Sequence, residues 1–105
     1  MALTRDFKET ILKRARREPA FRRALLQEGI ECFIMGDVQT GKELVRDYIN
    51  SSISFEKLAT ATKKSPKSLM RMFSPKGNPR ADNLFGVIAA LQQKEGITFH
   101  VRTEH

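Results

Sequence analysis

The stretch Phe55–Phe73, FEKLATATKKSPKSLMRMF, decides how this chain is read. It has the form of two short helices separated by a tight turn. Leu58 and Ala59 mark the apolar side of the first helix, and Leu69, Met72 and Phe73 that of the second. Lys63, Lys64 and Ser65 make the turn. Ser65 is suited to N-cap a helix, because its hydroxyl accepts from a free backbone N–H. Pro66 suits the first helical position, where its missing N–H would have no partner anyway. A helix started there projects Lys67, Ser68 and Arg71 outward, as a helix-turn-helix does to place side chains in a DNA major groove.

The charge distribution agrees with this reading. The 105 residues carry 19 Lys and Arg against 12 Asp and Glu, a net charge of +7. Within 53–80 the bases are Lys57, Lys63, Lys64, Lys67, Arg71, Lys76 and Arg80, opposed only by Glu56. Residues 1–28 are also basic, whereas 29–52 and 81–105 are slightly acidic. The positive footprint falls on the two-helix unit, as neutralisation of phosphates requires. RNA is a poorer fit, because the seven Phe and one Tyr fall on apolar stripes and are not interleaved with the bases for stacking.

Outward from this unit the pattern is helical almost throughout, and the fold class expected is all-α. A bundle of about five to six helices contains the helix-turn-helix. Thr4 or Asp6 caps a first helix that runs to about Arg17, with Phe7, Ile11, Leu12 and Ala15 on one face and Lys13, Arg14, Arg16 and Arg17 on the other. Pro19 opens a second helix through Phe21, Ala24, Leu25, Cys32 and Phe33, with Gly36 as its stop. Asp37 caps a third, from Val38 to about Asn50, on which Val38, Gly41, Val45, Tyr48 and Ile49 line up. The two central helices cover about 54–62 and 66–73. After the turn Ser74–Pro79, Asn78 caps a last helix that starts at Pro79 and carries Leu84, Val87, Ile88 and Leu91 until Gly96. Ile97–Arg102 alternates apolar and polar, the period of a short C-terminal β-strand. Residues 1–37 read as an N-terminal helical extension packed on a main unit of 38–105, the whole forming one domain.

Gly36–Lys42, GDVQTGK, has the spacing of a phosphate-binding loop, but Glu43 stands where the Ser or Thr for magnesium is needed. A glycine helix stop followed by an aspartate cap explains the same residues. His100 and His105 have no Cys or carboxylate at metal-ligand spacing, and the acids are dispersed. The expectation is therefore no catalytic residue, no metal, no cofactor and no enzyme. Cys32 is the single cysteine and reads as a core thiol. No apolar run is long enough to span a bilayer, and the first residues lack a signal core. A cytoplasmic protein is expected.

The block Leu58–Leu91 resembles the Xre/Cro-like, lambda-repressor-type family, and within it the branch of HigA-like antitoxins and predicted regulators. The resemblance rests on an S-x-x-x-L-x-R/K-x-h-S-P-x-G-N-P run, with h apolar, which here is Ser65 through Pro79. It extends over about 40–101. It implies a bundle of about five helices that binds a palindromic operator in double-stranded DNA as a homodimer. By position, Lys67, Ser68 and Arg71 match the family's base-reading sites, while Thr60, Lys63, Lys64, Lys76 and Arg80 are placed to hold phosphates. Two departures stand out: Lys63 occupies a turn position often held by Gly, and Thr62 one often held by an apolar residue.

The function expected is that of a sequence-specific transcriptional regulator, a repressor acting as a dimer on its own promoter. The alternative implied by the resemblance is an antitoxin that binds and neutralises a RelE-type toxin, its DNA binding serving autoregulation. The basic first helix could touch additional DNA, and the acidic 29–52 surface could meet a basic partner protein.

Overall fold

The computed structural model describes residues 5–105. Its order is α1 Arg5–Arg17, α2 Pro19–Ile34, α3 Val38–Ser51, α4 Phe55–Thr62, α5 Pro66–Met72 and α6 Ala81–Glu95. The all-helical expectation holds. Among the described residues no helix is long and apolar enough to cross a membrane.

Local chemistry sets most of the boundaries. Asp37 accepts from the Thr40 N–H at the start of α3, and Ser65 from the Ser68 N–H at the start of α5. Gly96, at φ 72°, ends α6: its N–H donates to the Gln93 carbonyl and that of Ile97 to the Gln92 carbonyl, a Schellman stop. Two boundaries differ from the sequence expectation. The N-cap of α6 is Arg80, two residues beyond Asn78, and α1 begins at Arg5, so that a Thr4 cap lies outside the described residues.

The expected C-terminal strand is absent. No strand occurs among the described residues, and 97–105 is irregular. An extended segment needs a second one to satisfy its backbone groups, and the described residues offer it none. The segment is instead tied to α6 through the Phe99 N–H, which donates to Gln92 Oε1 at 2.8 Å. Phe99 packs half-buried against the core, while Val101 stays exposed.

One cluster of buried side chains draws on all six helices: Ala15 from α1, Leu26 from α2, Val45, Tyr48 and Ile49 from α3, Leu58 from α4, Leu69 from α5, and Val87 and Leu91 from α6. The α2–α3 approach is the closest. A Cβ on Gly29 would lie 2.8 Å from Val45 Cγ2, and one on Gly41 would lie 2.5 Å from the Phe33 ring. That proximity accounts for a glycine inside α2, where propensity alone disfavours it by about 1 kcal/mol. Cys32, expected in the core, is only half-buried, and burial raises its thiol pKa.

Ion pairs tie the layers together. Lys8 of α1 reaches Asp47 at 2.7 Å and Glu43 at 2.9 Å on α3. At the end of α6 the nearly buried Glu95 accepts from Arg22 Nε (3.2 Å), Arg23 Nε (3.0 Å) and the Tyr48 hydroxyl (2.5 Å). Burial alone would raise the Glu95 pKa, but these donors outweigh it and hold the carboxyl down at about 2. The Tyr48 pKa is raised, first by burial and then by the Glu95 carboxylate.

The turn between α4 and α5 generates the first prediction. Lys63 adopts the left-handed conformation, φ 58° and ψ 36°, which L side chains resist by roughly 1–2 kcal/mol. Lys63→Gly should stabilise the protein by about 1 kcal/mol, seen as a raised midpoint in urea denaturation. The second concerns acid. Because the folded Glu95 pKa lies below the unfolded value of about 4.3, its stabilisation is complete above that pH. It is lost as pH falls from there towards about 2. Over that window wild type should lose stability more steeply than Glu95→Gln, measured by thermal denaturation against pH.

Candidate nucleic-acid interface

Helix α5 spans only seven residues, too short to stand alone. It is held from below by Leu69 and Phe73, both essentially unexposed. The Phe73 ring lies 6.4 Å from that of Phe55 at the start of α4. With Leu69 fixed inward, Lys67, Ser68, Met70 and Arg71 all face solvent.

The end of α5 is fastened by α3. Lys42, 1% exposed, donates from Nζ to the carbonyls of Ser74 (2.9 Å), Pro75 (3.3 Å) and Gly77 (2.6 Å). Arg46 adds a bond to the Phe73 carbonyl at 3.2 Å. Gly77 is forced by its surroundings, since a Cβ there would meet the Arg71 carbonyl oxygen at 2.0 Å. The 74–79 loop thus folds back onto the last turn of α5.

This fold-back gathers part of the expected site. Ser68, Arg71, Lys76 and Arg80 line one open depression of about 300 Å³, together with Asn78 and Asn83. Among the described residues the Arg71 and Lys76 side chains meet no hydrogen-bond or ion-pair partner, so their donors are available. Arg80 pairs at 3.4 Å with Asp82, both largely exposed. Such a pair is worth little and is readily exchanged. The Ser68 hydroxyl accepts from Ser65 Oγ at 2.9 Å, so it also serves the α5 cap.

The remaining expected residues lie outside that depression. Lys67 and Lys63 are exposed on the α5 face and the turn, with no side-chain partner among the described residues. Thr60 turns its hydroxyl back to the Glu56 carbonyl at 3.3 Å. Lys64 donates to Asn83 Oδ1 at 2.8 Å, joining the turn to the first turn of α6. Its ammonium is engaged in holding the unit together.

Sequence reasoning missed Lys42 and Arg46, which position the loop without facing solvent. The available signal was that position 42 lies beside Gly41 and three residues before Val45, on the stripe of α3 that the core covers, where a lysine needs an explanation; Val38, expected on that stripe, is exposed. The GDVQTGK string is accounted for as expected, by the Gly36 stop and the Asp37 cap, with its lysine given to protein carbonyls. Among the described residues no three His, Cys, Asp or Glu side chains gather to hold a metal ion. Comparisons with known protein families, with curated proteins and with solved structures return no match.

Lys42→Met should leave the Pro75 and Gly77 carbonyls without their ammonium donor, the Ser74 carbonyl keeping only the Gly77 N–H, and cost about 1–3 kcal/mol, read from urea denaturation.

Proposed function

We propose that this protein is a sequence-specific DNA-binding transcriptional regulator, with α4, the Lys63–Ser65 turn and α5 acting as a helix-turn-helix of the Xre/Cro-like type. The observation that carries this reading is a short helix, anchored at Leu69 and Phe73, that turns Lys67, Ser68 and Arg71 to solvent next to Lys76 and Arg80. Helix α5 enters the major groove. Arg71 pairs its planar fork with guanine O6 and N7. Lys67 and Ser68 face the bases beside it, and Lys63, Lys76 and Arg80 take phosphates. The protein acts in the cytoplasm as a dimer repressing its own promoter.

A second reading, an antitoxin that binds a RelE-type toxin and represses as a consequence, is favoured by one observation. Ile34, Met35 and Val38 are exposed at the α2–α3 corner, beside the acids Glu31 and Asp37, in a chain that is otherwise basic. An apolar patch rimmed by acids suits a basic protein partner.

The deciding experiment is a titration of DNA from upstream of its own gene against random duplex of equal length at fixed salt. The upstream DNA should bind about a thousandfold tighter or more. Equal, weak binding to both would count against the regulator reading and turn attention to the corner. Arg71→Ala should cost about 1–3 kcal/mol on the upstream DNA only. Lys76→Ala should weaken both alike and lower the salt slope by about one.

A further inference from the structure

Four of the basic residues outside the α4–α5 unit, Arg16, Arg22, Arg23 and Lys94, collect at the opposite end of α6. Lys64 ties that unit to Asn83 near the start of α6, and Lys94 and Glu95 close the helix. About 18 Å of helix axis separates Asn83 from Glu95 at the ordinary rise per residue. There the ends of α1, α3 and α6 and the beginning of α2 enclose an open recess of about 530 Å³. Arg16, Arg22, Arg23 and Lys94 line it, against the single carboxylate of Glu95.

Two features distinguish this recess from an ordinary solvated face. The first is preorganisation. Arg22, with 19% of its side chain exposed, is gripped at both Nε and Nη2 by Glu95, itself 5% exposed, and donates from Nη1 to the Ala15 carbonyl. Arg23 is held on the same carboxylate through Nε alone, which leaves its outer nitrogens free. A guanidinium fixed in advance loses less freedom on binding. The second is surplus. The Arg16 and Lys94 side chains are exposed and, among the described residues, meet no hydrogen-bond or ion-pair partner. The same is true of Lys13 and Arg17, with Lys13 three residues from Arg16 and so its neighbour on the helix face. Helix C-termini account for cations at the ends of α1 and α6. They do not account for Arg22 and Arg23, which lie near the N-terminal end of α2.

We infer that this recess is a second phosphate-binding site, which takes a phosphodiester segment of nucleic acid other than the few base pairs under α5. Guanidinium forks match phosphate oxygens. The recess is lined by no aromatic side chain for a base to stack on, so recognition falls on the backbone. The positive field continues along α1 beyond the recess, which suits a chain of phosphates more than one. The site does not depend on α5 reading bases.

The test is amide NMR mapping of the full chain with a short random duplex, and separately with inorganic tripolyphosphate. The duplex should shift two patches, α5 and the surroundings of Arg16 and Lys94. The double variant Arg16→Ala, Lys94→Ala should lose the second patch and keep the first. Its melting temperature should be unchanged and its salt slope on random duplex lower by about two. Shifts confined to α5 would overturn the inference while leaving the helix-turn-helix reading intact. Shifts confined to the recess would support it and remove that reading. Shifts with tripolyphosphate but none with duplex would make it a site for free phosphates and overturn the assignment to a nucleic-acid backbone.

Discussion

The ammonium of Lys42 is the contact on which the proposed DNA-reading surface depends. A buried lysine is costly to desolvate, and it is tolerated here because its three N–H donors meet three carbonyls of one loop. Those carbonyls belong to the turn that follows α5, so α3 dictates where α5 ends. Arg46, one helical turn later, secures the Phe73 carbonyl. Because α5 is too short to be stable alone, its direction comes from these bonds and from Leu69 and Phe73 beneath it. The outward set of Lys67, Ser68 and Arg71 follows from that anchoring.

Features governed by neighbours in sequence were legible; those governed by packing were not. Ser65 and Asp37 cap helices because a hydroxyl or carboxylate three residues before a free N–H can reach it, whatever the tertiary fold. Gly96 stops α6 for an equally local reason. Lys63 accepts the left-handed conformation its turn requires despite its side chain, showing that a turn fixed from both sides can override one residue's preference. The C-terminal tail is the counter-case. Its alternation is real, but period two specifies a strand only when a partner strand exists, and Gln92 captures the Phe99 N–H instead. Gly29 likewise counts against a helix locally and is required by the approach of α3.

The candidate site was half legible for the same reason. Arg71, Lys76 and Arg80 are close in sequence around one turn, and the fold brings them to one depression. Lys64 looked like another free cation, yet Asn83 on α6 claims it. Counting charges along a chain cannot separate a lysine that joins two helices from one that is open to a partner.

The cations differ in what they already hold. Lys8, Lys42, Arg46 and Lys64 are committed to α3, to carbonyls within 73–77 or to α6, and their donors hold the fold together. Among the described residues, the exposed cations without a side-chain partner include Lys63, Lys67, Arg71 and Lys76 around α5, and Lys13, Arg16, Arg17 and Lys94 around the far end of α6, with Lys57 on α4 and Arg102 in the tail. Glu95 occupies a special position between these roles. By holding Arg22 and Arg23 it neutralises one charge, yet it also orients both guanidinium groups beside the second group. Glu95 therefore joins α2 and α3 to the end of α6 while shaping a positive surface, so acid that releases it acts on stability and on that surface together.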